Sequence, residues 1–140
     1  MRHNLNKGFS LIEVVVSISI VTFALFSMLV LLPFSLRVNR SSANLTQATY
    51  LAQAAIENSL SISYENLNAG TIESKAKLSA DASNFLYNFE RETTVAYVDA
   101  NLNNSVSDIG LKKVSTTVYW QDTADETEKT YTLTTLISQK

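Results

Sequence analysis

The chain contains no cysteine. Disulfides, thiolate metal sites and cysteine nucleophiles are thereby excluded. This absence does not say which compartment the chain occupies. Proline occurs once and glycine three times, too few for low-complexity linkers. Histidine also occurs once, as His3. The formal net charge is −2, so no basic excess argues for nucleic acid, and direct DNA binding is not supported. With 140 residues the chain is long enough for about one domain.

What is present is unevenly distributed. Apolar residues concentrate near the N-terminus, and serine, threonine and asparagine are abundant after residue 39. From Val14 to Leu36 no residue is charged, and about 20 apolar residues suffice to span a bilayer as a helix. Ser17, Ser19, Thr22, Ser27 and Ser35 dilute the run, but their hydroxyls can bond to the helix backbone. Arg2 and Lys7 precede it, and Arg37 and Arg40 follow it. A cleavable secretory signal would have a shorter apolar core and a small-residue site after it. Here Pro33-Phe34-Ser35-Leu36-Arg37 follows instead. A plain single-pass anchor accounts for the length but not for Glu13, at the mouth of the run. An ionisable side chain in a membrane helix costs about 2.5 kcal/mol or more at the centre, less near the end, and is usually functional.

The string Lys7-Gly8-Phe9-Ser10-Leu11-Ile12-Glu13-Val14 resembles the processing site of type IV prepilins and type II secretion pseudopilins. That pattern is a short basic leader ending in glycine, then phenylalanine, a small or hydroxyl residue, two aliphatics and glutamate. The resemblance implies cleavage between Gly8 and Phe9 by a membrane aspartyl prepilin peptidase on the cytoplasmic side. The missing side chain of Gly8 suits close approach by an enzyme backbone. It implies that Phe9 becomes the new N-terminus and is N-methylated. Lys7 and Arg2 would hold the leader in the cytoplasm. It further implies that Glu13, about one helical turn beyond Phe9, pairs during assembly with the charged N-terminus of a neighbouring subunit. Each charge alone is poorly tolerated in a low-dielectric bundle, and a pair sets axial register. The simpler reading of Glu13 is a carboxylate favoured by the helix dipole in the first turn. That reading alone does not need the Gly-Phe leader.

Pro33 removes a backbone hydrogen bond and predicts a kink over residues 28–32. Beyond Arg40 the pattern stays helical. Leu45, Ala48, Ala52, Ala55, Ile56 and Leu60 recur at helical spacing with Leu51 beside them, and Asn44, Gln47, Gln53 and Glu57 fill other faces. A helix from Phe9 to about Ser61 would be roughly 80 Å long. Its first half would span the membrane and its second half would pack on a sheet.

Residues 61–83 read as loop, with Gly70 at a turn and a weak helical pattern over Ser74 to Ala82. From Asn84 the pattern predicts strand, with Phe85, Tyr87 and Phe89 alternating and Thr93 to Val98 β-branched and aromatic. Residues 100–110 are polar, with turn signals at Asn103-Asn104 and Gly110. Lys113 to Trp120 is the clearest strand, with Val114, Thr116, Val118 and Trp120 on one face. Gln121 to Glu128 reads as an acidic loop. Lys129 to Ile137 is a second strand, with Tyr131, Leu133, Thr135 and Ile137 on one face, pairing antiparallel with the first. The order of residues 113–137 resembles the end of V-type minor pilins and I-type minor pseudopilins. No cysteine is present for a major-pilin disulfide loop.

No active site is expected. His3 lies in the leader, so Ser-His-Asp catalysis and His-ligated metal are excluded from the mature chain. Asp122, Asp125, Glu126 and Glu128 offer oxygen ligands for Ca²⁺, but their spacing is not that of an EF-hand, and a solvated loop is the better reading. Tyr64, Tyr87 and Tyr119 are candidate partner or sugar contacts, against ordinary packing. No glycine-rich phosphate loop, metal site or cofactor is expected.

The expected fold class is α+β, a long N-terminal helix on a small antiparallel sheet. The expected division is a leader at 1–8, a membrane and assembly helix at 9–36, an amphipathic continuation at 37–61 and a β-rich domain at 62–140. The expected function is a structural subunit, a minor one, of a type IV pilus-like filament, with no chemistry of its own. Net charge does not discriminate between machines, since loss of residues 1–8 takes the side-chain charge from −2 to −4. Adhesion or motility pili, type II secretion and DNA uptake all use such subunits. The expected partners are prepilin peptidase, other pilin or pseudopilin subunits and the inner membrane. The competing class is a membrane-anchored binding module, such as an adhesin with a pilin-type leader.

Overall fold

A computed structural model describes residues 10–122 and 127–139. The chain forms two compact units, Met1–Arg40 and Ser41–Lys140. One helix, α1 (Leu11–Leu60), contributes to both.

In the first unit α1 is helix alone, and every described side chain is exposed. Val14 to Thr22 is rich in β-branched residues, which favour strands in water. The helix forms nonetheless, because it satisfies its backbone hydrogen bonds internally and needs no neighbouring strand. α1 runs unbroken through Pro33. Proline has no N–H, so the Leu29 carbonyl lacks its usual intrahelical donor.

In the second unit, helix residues 41–60 pack on a five-stranded antiparallel sheet. The strands are β1 (Gly70–Lys77), β2 (Phe89–Val98), β3 (Asn104–Ser105), β4 (Leu111–Gln121) and β5 (Glu128–Ser138). Their order is β1-β2-β4-β5, and the short β3 pairs with β2 beyond the end of β1. β4 and β5 pair without a register shift from Leu111↔Ser138 to Gln121↔Glu128. β1 is irregular on β2, with shifts at Thr71/Glu73 and Glu73/Ala76.

Period-two alternation puts Lys112, Val114, Thr116, Val118 and Trp120 of β4 toward the helix, and all are buried. Tyr131, Leu133, Thr135 and Ile137 of β5 are half-buried on the same side. Both faces are those that the alternation predicts. Ala48, Ala52, Ala55, Ile56 and Ser59 form the buried stripe of the helix. The small side chains let the helix approach the sheet. Ala48 and Ala52 cluster with Phe89, Val118 and Trp120, and Ile56 with Leu67, Val95 and Val114.

Three expectations are corrected. Leu45 and Leu60 are not in the stripe but stand 47% and 50% exposed, while the polar Ser59 is buried. Ser59 is tolerated there because its hydroxyl donates to the Ala55 carbonyl at 2.8 Å. Ser74 to Ala82 forms no helix. β1 occupies it as far as Lys77, since pairing with β2 overrides a weak local preference. Beyond Lys77, Ser79 and Asp81 accept backbone N–H bonds from Asp81 and Ser83 and hold a turn. Phe85 to Asn88 is a 3-10 turn where strand was expected, and β2 begins only at Phe89. The Asn84 side chain accepts the Leu86 N–H at 3.0 Å and closes that turn.

The alanine stripe gives a direct test. Ala52→Leu should overpack the helix–sheet contact and cost about 1–3 kcal/mol. Gln53→Leu, on the exposed face, should change stability far less. Urea unfolding of the two variants checks the difference.

Candidate functional site

The segment that the sequence singles out begins where α1 begins. The Ser10 carbonyl accepts the N–H groups of Glu13 at 3.0 Å and Val14 at 3.2 Å. Glu13 is thereby fixed in the first turn, where the dipole favours its carboxylate. No ion pair engages Glu13 among the described residues. Four of the five hydroxyls in the run bond to the helix backbone. Ser17 donates to the Glu13 carbonyl at 2.7 Å, Ser19 to Val15 at 2.8 Å, Thr22 to Ile18 at 2.7 Å and Ser27 to Phe23 at 2.8 Å. The run is therefore more apolar in effect than its composition suggests.

Helical geometry places Ser10, Glu13, Ser17, Ile20, Ala24 and Ser27 along one face, at alternating spacings of three and four. Small residues on such a face let another helix come close. Phe23 and Phe26 lie off this stripe, and the same spacing continues past Ser27 to Leu31 and Phe34. Glu13 is its only ionisable member.

A family model for the prokaryotic N-terminal methylation motif matches residues 3–32. This is the leader of the type IV pilins and pseudopilins. Comparison with curated proteins and with solved structures gave no match. The matched segment contains Gly8, Phe9, Glu13 and the stripe as far as Ser27. A pilin-type leader implies processing by prepilin peptidase and assembly with other pilins in a membrane. Among the described residues one helix, α1, is long and apolar enough to cross a membrane. Lys7, Gly8 and Phe9 lie outside the described residues, as do Arg2 and His3.

The remaining candidates are in the second unit. Asp125 and Glu126 lie outside the described residues. Glu128 pairs with Lys75 at 2.7 Å, and Asp122 is half-buried and has partners of its own. No group of three or more His, Asp or Glu side chains is placed to hold a metal among the described residues. The three tyrosines are engaged within the fold. Lys77 sits 3.5 Å above the Tyr87 ring. Lys75 sits 3.9 Å above that of Tyr119, whose hydroxyl donates to Glu92 at 3.1 Å. Tyr64 donates its hydroxyl to Asp108.

The Tyr64 contact belongs to a cluster that the sequence reading passed over. Lys112 is only 3% exposed. Its ammonium donates to the Tyr64 carbonyl at 2.7 Å, lies 3.3 Å from the Asp108 carboxylate and stacks 3.9 Å from the Tyr64 ring. A buried ammonium needs such partners. The cluster fastens the turn at Tyr64–Asn66 to β4. The signal was available in the sequence, because Lys112 falls on the inward face two residues before Val114.

A second polar lock holds the irregular β1. Arg91 grips Glu73 with two bonds of 2.8 Å and donates to the Leu51 carbonyl at 3.2 Å. Thr93 adds a bond to Glu73 at 3.2 Å and shares one with Thr116 at 3.1 Å. The Arg91 bonds hold the Glu73 carboxyl below its ordinary range.

The pH dependence follows from the first cluster. Partial desolvation, reinforced by the Asp108 carboxylate, pushes Tyr64 from 10.0 up to about 12. A raised tyrosine favours the neutral folded form. Its contribution is complete below pH 10 and is lost as pH rises toward about 12. Asp108 is held below 3.8, first by the Tyr64 hydroxyl. Its contribution is present above that value and is lost as pH falls through the lower folded one. Stability should therefore fall on the alkaline side above pH 10. Tyr64→Phe should be less stable near neutrality and show a smaller alkaline loss. Urea midpoints between pH 7 and 12 check this.

Proposed function

We propose that this chain is a structural subunit, most simply a minor one, of a type IV pilus-like filament. The observation that carries the reading is the Gly8-Phe9 string with Glu13 at the mouth of an apolar helix, inside the segment that the methylation motif matches. In this reading residues 1–8 are the leader. The peptidase cuts between Gly8 and Phe9, and the new amino group of Phe9 is methylated. Residues 9–36 anchor the precursor in the inner membrane, with Lys7 and Arg2 on the cytoplasmic side and the β-rich domain outside. The subunit then passes from the membrane into a filament at the cell surface or in the periplasm.

Glu13 supplies the register. Its carboxylate has no ion pair among the described residues, and the small-residue face around it admits a second helix closely. A cationic N-terminus of a neighbouring subunit, created by cleavage, is the complementary charge. Once the helices pack, the pair is strong because water is excluded, and losing either half leaves a buried charge alone.

A structural role needs no ligand site in the sheet domain. A cavity of about 220 Å³ is lined by Ile62, Asn66, Leu67, Gly70 and Ile72, and no aromatic ring lines it. The reading holds equally for a pseudopilin of a type II secretion or DNA-uptake machine.

Mass spectrometry of the chain from membranes containing the peptidase should find Phe9 as a methylated N-terminus. An intact Met1 start in those membranes would overturn the reading. Glu13→Ala should still be inserted and cleaved, but its recovery in sheared filaments should fall at least about tenfold, the equivalent of 1.4 kcal/mol. Incorporation at the normal level would reduce Glu13 to a helix-dipole residue.

A further inference from the structure

The two edges of the sheet are unlike. β1 is shifted in register twice and carries Glu73, Lys75 and Lys77. Bulges and charges are how natural edges resist strand addition. β5 has no bulge, and its charges, Glu128 and Lys129, are confined to its first two residues. From Thr130 to Ser138 it has no charge, glycine or proline, and its register on β4 is unbroken.

The open backbone groups of β5 can be assigned. Beyond its two ends, Gln139 N–H donates to the Gly110 carbonyl at 2.9 Å and Asp122 N–H donates to the Thr127 carbonyl at 3.0 Å. Both pairs continue the β4–β5 register. Bonded and non-bonded pairs alternate along an antiparallel ladder. Odd-numbered residues of β5 therefore turn their N–H and C=O toward β4. Thr130, Thr132, Thr134 and Leu136 turn theirs outward, where no strand pairs with them among the described residues.

We propose that this edge is a homotypic pairing site, where β5 of a second copy of the chain adds antiparallel about a two-fold axis at Thr132. The residue pattern favours this occupant. With the axis there, Thr130 meets Thr134 of the second copy, and Tyr131 meets Leu133. Threonine–threonine cross-strand pairs are stabilising, and Tyr131 against Leu133 buries apolar surface. The outer threonines already make such contacts within the fold: Thr132 shares a bond with Thr117 at 3.0 Å and Thr134 with Ser115 at 3.1 Å. The half-buried Tyr131 and Leu133 gain the cover that an edge position denies them. Glu128 falls opposite Leu136 and Lys129 opposite Thr135, so no like charges meet. The contact is isologous and closes on itself, giving a dimer. It rests on the sheet alone and stands apart from the filament reading.

The absence of cysteine makes the test clean. Single-cysteine variants of the full chain, in detergent micelles, are oxidised and run without reductant. A bonded antiparallel pair has Cα atoms about 5.5 Å apart, within disulfide reach of about 4.4–6.8 Å. Thr132→Cys should cross-link to itself at least tenfold more than Ile72→Cys, on the β1 edge. Thr130→Cys should cross-link to Thr134→Cys in a mixture more than either does to itself. Thr134→Pro, whose lost N–H faces outward, should abolish the Thr132→Cys product while the far-ultraviolet circular dichroism stays unchanged. The proposal is overturned if Thr132→Cys cross-links no better than Ile72→Cys. It is overturned equally if Thr132→Cys prefers Ile72→Cys over itself, which would mean β5–β1 pairing.

Discussion

In the apolar run of α1 every backbone N–H has to find its acceptor within the helix itself. That constraint decides the first unit. It turns the β-branched stretch from Val14 to Thr22 into helix, although residues of that kind favour strands elsewhere in the same chain. It also fixes the hydroxyls of Ser17, Ser19, Thr22 and Ser27, which bond to the preceding turn. Once these groups are satisfied, Glu13 stands out as the one side chain of the run whose charge the helix does not neutralise.

The second unit answers the same demand with a sheet. β4 is its spine, bonded to β2 on one side and β5 on the other. Its inward face alternates valine with threonine and ends in lysine and tryptophan. The helix meets it through alanine and serine, so the contact is close but contributes few large side chains. Polar locks do part of the fastening, one at Tyr64, Asp108 and Lys112, the other at Glu73, Arg91 and Thr93. Both tie less regular segments to strands that pair regularly.

The parts that were readable in the sequence are those with a strong period. The β4 and β5 faces repeat every second residue without interruption, and the apolar run has no competing pattern. The methylation motif was readable for another reason, since it is a fixed string of residues and not a period. Where the period was short or mixed, local chemistry decided. Asn84 closed a turn through its side chain where alternating aromatics suggested strand. β1 carries a weak helical pattern, and only its pairing with β2, distant in sequence, makes it a strand. Leu45 and Leu60 have the right spacing for the buried stripe, but spacing cannot say how far along the helix the sheet extends. Lys112 shows the reverse: the period placed it inward correctly, and its charge made that position easy to overlook.

The bonds from Ser17 and Ser27 to their own helix have a further consequence. A hydroxyl has one proton, and here it is committed to the carbonyl one turn back. Toward a neighbour, each of these groups offers lone pairs alone. Together with the Glu13 carboxylate, the small-residue face is an acceptor surface without donors at those three positions. Two such faces placed in register have nothing to exchange there. Only a helix that brings protons of its own finds a partner at those three positions.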